Sequence, residues 1–119
     1  ACRTASEGRI VRILITGGAG CLGSNLIEHW LPKGHQIFVI DNFATGKREV
    51  VPNVDGLTVL EGSIVDGALV DRAFASFKPE LVIHAAAAYK DPDDWYNDTL
   101  TNCVGGANIV DAAKKFACF

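Results

Sequence analysis

The sequence predicts an α/β layer fold built on a parallel sheet, and three observations carry that reading. Short, almost continuously apolar runs rich in β-branched residues recur along the chain, the pattern of strands buried on both faces. Between them lie stretches in which apolar residues follow helical spacing, so strand and helix alternate throughout. The first strand-to-helix turn is crowded with glycine, at Gly17, Gly18, Gly20 and Gly23.

Residues 1–9 are mostly small and polar without periodicity and read as a disordered leader, with one partial domain expected over 10–119. Ile10 to Thr16 reads as the first strand. After the glycines, Leu22, Leu26, Ile27, Trp30 and Leu31 mark a helical face that Pro32 and Gly34 stop. Gln36 to Ile40 is a second short strand ending at Asp41 and Asn42, residue types that leave strands for loops. A polar, part-helical stretch from Thr45 to Val51 leads to a third strand, Leu57 to Glu61. Asp66 is placed to cap a helix with Leu69, Ala73 and Phe77 down one side. Leu81 to His84 makes the fourth strand, and a long helical pattern runs from Asp94 through Leu100, Val104, Ala107, Val110 and Ala113.

Composition excludes several function classes. At 119 residues, 49% hydrophobic and 21% charged, the chain is suited to one packed core rather than to disorder. No apolar run approaches the ~20 residues of a membrane helix, so no membrane partner is expected. A net charge of -3 offers no basic surplus for nucleic acid. Cys2, Cys21, Cys103 and Cys118 form no Cys-x-x-Cys pair, and no export signal precedes them, which points to reduced thiols and a cytoplasmic location. His29, His35 and His84 lack ligand spacing, and Asp91, Asp93 and Asp94 read as helix-start acids, so no metal site is expected.

The glycines satisfy Gly-x-Gly-x-x-Gly at Gly18, Gly20 and Gly23, and Gly-x-x-Gly-x-x-Gly at Gly17, Gly20 and Gly23. They lie between a strand and a helix start, and Asp41 ends the next strand at about the ~20-residue distance a dinucleotide fingerprint requires. Residues without side chains let the backbone approach a pyrophosphate, whose charge the helix N-terminus stabilises. Gly20 is the expected point of approach, and Gly23 is expected to let the helix pack closely on the sheet. Asp41 would accept from a ribose 2′-hydroxyl and repel a 2′-phosphate, favouring NAD over NADP; Lys47 and Arg48 are the nearby cations that would oppose this. A P-loop is excluded because no lysine precedes Ser24. A methyltransferase-like site, and a non-catalytic module holding NAD(H), remain as alternatives.

These motifs resemble the extended short-chain dehydrogenase/reductases, specifically the NAD-dependent nucleotide-sugar epimerases and dehydratases. Ile13 to Ser24 is similar to that family's cofactor turn, and Val39 to Asn42 followed by Thr45 and Gly46 to its adenosine-binding loop. Glu61 to Asp66 resembles the adenine-contacting segment, with Ser63 where aspartate is usual. His84 to Ala87 resembles the segment under the nicotinamide side, and Asn102 to Gly105 the Asn-Val-x-Gly of the next helix. The resemblance implies a Rossmann-type sheet of order 3-2-1-4, truncated before its fifth strand.

It further implies Gly17, Gly20, Cys21 and Leu22 at the pyrophosphate, Asp41 and Asn42 at the ribose, with Thr45 and Gly46 in the same loop. Ser63 and Ile64 would lie beside adenine, Ala85, Ala86 and Ala87 would line the cofactor, and Asn102 joins this set; Tyr89 and Lys90 follow the alanines. The implied substrate of the full-length enzyme is a nucleotide sugar. The family's Tyr-x-x-x-Lys pair is absent, since Tyr89 meets Asp93 and Tyr96 meets Leu100 at that offset, so no catalytic residue is assigned. A homo-oligomer is expected, because the fourth strand would present a bare edge and the last helix an uncovered apolar face.

Overall fold

The computed structural model describes residues 8–119, so most of the expected leader lies outside the described residues. The elements run β1 (Arg12–Thr16), α1 (Cys21–Trp30), β2 (Gln36–Asp41), β3 (Leu57–Glu61), α2 (Gly67–Phe77), β4 (Leu81–His84), α3 (Trp95–Thr99) and α4 (Gly106–Lys115). The sheet has the order β3-β2-β1-β4, as expected, and every pairing is parallel. Ile13 of β1 faces Ile37 on one side and Leu81 on the other, so β1 is the central strand.

Successive residues of a strand point to opposite faces, and here both faces are covered. Leu14, Phe38 and Ile40 pack with Val70, Ala73 and Phe74 of α2 and with Ile109 and Ala112 of α4. Ile13, Ile15, Ile37 and Val39 pack on the other face with Ile27 of α1. The uninterrupted apolar strands follow from this double burial. Asp66 caps α2 as expected, its Oδ1 accepting from Leu69 N–H at 3.1 Å.

Four expectations are corrected. The first strand starts at Arg12 rather than Ile10, because Val11 N–H donates to His35 Nδ1 and Ile10 stands 59% exposed. Arg9, placed with the leader, pairs with Glu80. The last helical pattern is interrupted by a π-helical segment, Leu100–Gly105, between α3 and α4. An i→i+5 segment shifts which side chains share a face. Gly105, Ile109 and Ala112 are therefore buried, whereas Val104, Ala107 and Val110 of the expected apolar face look outward.

The edge of β4 is not bare. Phe119 N–H donates to Glu80 O and Phe119 O accepts from Val82 N–H, the bond pattern of a parallel ladder.

A relay ties β1 to β4 beneath the site. Thr16 is fully buried, and its Oγ1 accepts from Ala86 N–H at 3.2 Å and lies 2.7 Å from His84 Nδ1. A buried hydroxyl proton needs an acceptor, so Thr16 donates to Nδ1 and the imidazole carries its proton on Nε2. Partial burial holds the His84 pKa below its ordinary value. The unfolded chain then binds the proton first, so this contribution is complete above the ordinary imidazole value and is lost as pH falls towards the folded one. Urea midpoints measured at about pH 7.5 and about pH 5.5 should therefore fall further for the wild type than for His84→Gln. Equal falls would remove His84 as the cause.

Candidate functional site

The parallel strands bring their C-terminal ends to one side, and the chain runs from β1 to β2 and β3 on one side of β1, then crosses back through α2 to β4 on its other side. Such a divergence opens a crevice beyond the strand ends. A cavity of about 420 Å³ lies there. It is walled by the glycine turn, by Asp41, Asn42 and Ala44 to Gly46 at the end of β2 and beyond it, by Gly62 to Ile64 after β3 and by Ala85 to Asp91 after β4. A second groove, lined by Arg9, Lys78 and Phe119 among others, contains none of the expected residues.

Close packing shapes the glycine turn. Gly17 has φ +73, and a Cβ there would sit 2.8 Å from Ala86 N. A Cβ on Gly23 would sit 2.5 Å from Gly17 O, so Gly23 seats α1 on the turn itself rather than on the sheet. Gly20 differs: an added Cβ would meet only Gly17 O, at 3.3 Å. That contact asks the Gly17 carbonyl to give by a few tenths of an ångström, a milder demand than at Gly17 or Gly23, and the space beside Gly20 opens into the cavity.

Gly20 begins α1 without a side-chain cap, and the first turn carries no acid. Cys21, Leu22 and Gly23 have no acceptor for their N–H groups among the described residues. Unpaired N–H groups at the positive end of a helix form an anion site, and all three residues line the cavity. Leu22, expected on the core face, is 58% exposed for this reason.

Asp41 stands at the end of β2. Its Oδ2 accepts from Ala19 N–H at 2.9 Å and its Oδ1 from Phe43 N–H at 2.7 Å. A carboxylate has about four acceptor positions, so roughly two remain for hydroxyls of a ligand. Ser63 Oγ accepts from Val65 N–H at 3.1 Å, which orders the loop beside Ile64. These donors and acceptors fit a dinucleotide, with an anion pole at one wall and a diol acceptor at the next.

Gly17, Gly20, Cys21, Leu22, Asp41, Asn42, Thr45, Gly46, Ser63, Ile64, Ala85, Ala86 and Ala87 all line the cavity, as do Tyr89 and Lys90. Asn102 stands outside this lining. Its Oδ1 accepts from Ala88 N–H at 2.9 Å and its Nδ2 donates to Ala88 O at 2.8 Å, so the carboxamide fixes the alanine wall. Sequence reasoning missed Asn108, whose Nδ2 donates to Ile64 O at 2.9 Å and Val65 O at 3.1 Å. It also missed Asn97, Asp98 and Thr101 at the rim, which only the α3 packing brings there. Among the described residues no cluster of three or more His, Cys, Asp or Glu is arranged to hold a metal, and no helix is long and apolar enough to cross a membrane.

Known proteins are similar to this chain in sequence and in fold. A UDP-glucose 4-epimerase from Mycolicibacterium smegmatis is 34% identical over 110 residues, covering 87% of this chain and 35% of that protein. UDP-glucuronic acid decarboxylase 1 of Danio rerio is 35% identical over 107 residues, covering 87% of this chain and 25% of that protein. The crystal structure of the Bordetella bronchiseptica enzyme WbmG in complex with NAD and UDP matches with a TM-score of 0.91 and 66% identity, over 92% of this chain and 36% of that one. The chain thus spans about a third or less of the length of the curated relatives it matches. The model of the NAD dependent epimerase/dehydratase family matches residues 13–119, and the chain belongs to that family.

Proposed function

We propose that the cavity binds NAD and that residues 10–119 form the cofactor-binding part of a nucleotide-sugar epimerase or dehydratase. The observation that carries this reading is the uncapped start of α1 facing the same cavity as the Asp41 carboxylate. In this reading the N–H groups of Cys21 and Leu22 hold the pyrophosphate beside Gly17 and Gly20. Asp41 and Asn42 receive the adenosine ribose, with Thr45 and Gly46 closing that loop. Ser63 and Ile64 flank adenine, and Ala85, Ala86 and Ala87 support the nicotinamide half while Asn102 positions them. NAD would supply the hydride acceptor. The chain's own residues bind and orient it, since neither tyrosine has lysine four positions on.

The relatives' UDP-glucose and UDP-glucuronic acid names support a nucleotide sugar as substrate of the whole enzyme. A cytoplasmic setting is part of the proposal, supported by Cys21, Cys103 and Cys118 being free thiols. A homo-oligomer is part of the proposal, because Trp95 at 78% and Val110 at 57% exposure leave apolar surface along the α3 and α4 faces.

A 2′-phosphate about 4 Å from Asp41 would be repelled by on the order of 4 kcal/mol at an effective dielectric near 20. Calorimetry with NAD, NADP and S-adenosylmethionine should therefore find NAD the tightest ligand; tightest binding of S-adenosylmethionine would replace this reading with the methyltransferase one. Asp41→Ala should weaken NAD by about tenfold or more and narrow the preference over NADP. An unaltered ratio would dismiss Asp41 as selector. Gly20→Val should lose NAD affinity by at least about tenfold while the protein still melts cooperatively, because its side chain asks the turn for a small shift but occupies the space a pyrophosphate would take. Unchanged affinity would place the cofactor elsewhere.

A further inference from the structure

Selection against a 2′-phosphate needs more than Asp41, because Lys47 and Arg48 lie on the next loop and would compensate its charge. The structure directs Arg48 elsewhere. Its Nη1 lies 3.3 Å from Glu61 Oε2, and its guanidinium carbon sits 5.0 Å from the Phe43 ring centroid. We propose that Phe43 and Glu61 set cofactor selectivity by withholding Arg48 from a 2′-phosphate; this rests on the reading of the cavity as an NAD site.

Glu61 ends β3 in register with Asp41. Residues so paired lie about 4.8 Å apart on neighbouring strands with side chains on the same face, which sets two like charges together. Arg48 answers the outer of the two, leaving Asp41 uncompensated beside the ribose position. Phe43 is held for the stack by Asp41 itself, whose Oδ1 accepts from Phe43 N–H at 2.7 Å. Its φ of +55 is uncommon for a residue with a Cβ and sets the ring under the guanidinium. Asp41 thereby serves as both diol acceptor and organiser of the clasp.

Both contacts are solvent-exposed, so each is worth a few-fold and the pair on the order of tenfold in the availability of Arg48. None of Phe43, Arg48 and Glu61 lines the cavity, so changing them removes no contact to NAD. Lys47 has no ion pair among the described residues and remains the same in every variant below.

The test is calorimetric affinity for NAD and NADP in the wild-type protein, Glu61→Gln, Phe43→Ala, Arg48→Ala and the two double variants containing Arg48→Ala. Phe43→Ala leaves the charge count unaltered, which separates release of Arg48 from relief of repulsion. Glu61→Gln and Phe43→Ala should each tighten NADP by about three- to tenfold, with NAD unchanged within about twofold. Arg48→Ala alone should leave NADP within about twofold, and both gains should vanish in its background. The proposal is overturned if NADP does not tighten in either single variant, or if the gains persist without Arg48. A large loss of NADP affinity in Arg48→Ala alone would also overturn it, by placing Arg48 already on the phosphate. Thermal melts confirm folding, and Phe43→Ala alone carries the test if Glu61→Gln unfolds. A wild-type protein that binds neither nucleotide would instead overturn the underlying NAD reading.

Discussion

The hydrogen bond from Ala19 N–H to Asp41 Oδ2, 2.9 Å long, joins the glycine turn to the end of β2, and the site depends on it. Ala19 is almost wholly buried, so its N–H needs an acceptor inside the protein. By supplying one, Asp41 fixes the turn just before α1 begins, while the N–H groups of Cys21, Leu22 and Gly23, residues that line the cavity, have no acceptor among the described residues. The same carboxylate orders Phe43 through its other oxygen. One residue thus sets the distance between the anion pole of α1 and the acceptor positions at the strand end.

The glycines make that geometry reachable. A Cβ at Gly46 would lie 2.8 Å from Ala19 O, so the loop after β2 closes directly onto the turn. With Gly17 against Ala86 and Gly23 against Gly17, three chain segments meet at backbone contact around the start of α1. Contact of this kind leaves little freedom for the turn to rearrange, and a preorganised anion site loses less on binding than a mobile one. The Thr16 relay extends the order to the far wall, since Ala86 N–H is held from β1. Asn102 and Asn108 complete it by fixing the loops after β4 and β3.

Much of this was legible in the sequence, for a physical reason. Strands buried on both faces must be apolar without interruption, so Ile13 to Ile15 and Ile37 to Ile40 declared the central sheet. A glycine cluster at a strand-to-helix turn and an acid ending the next strand are local signals, and their residues line one cavity. The asparagine clamps were not legible in this way. Asn102 reaches Ala88 across a sequence separation of 14, and Asn108 reaches Ile64 across 44, so their partners come from packing rather than spacing. The face of the final helix was misplaced because a π-helical segment leaves no mark in a 3.6-residue pattern. Arg48 reads as a loop cation in the sequence, and only the fold brings Glu61 and Phe43 around it.

The central claim is that an uncapped helix start and the Asp41 carboxylate together form the cofactor's binding surface. Its most direct test is an amide nuclear magnetic resonance titration of the isotopically labelled protein with NAD. The account predicts that the largest saturable shifts fall on the N–H groups of Gly20, Cys21 and Leu22 and on Asp41 and Asn42, with the β4 edge near Phe119 unmoved. Shifts concentrated elsewhere, with the amides of Gly20 to Leu22 unchanged at saturation, would contradict it.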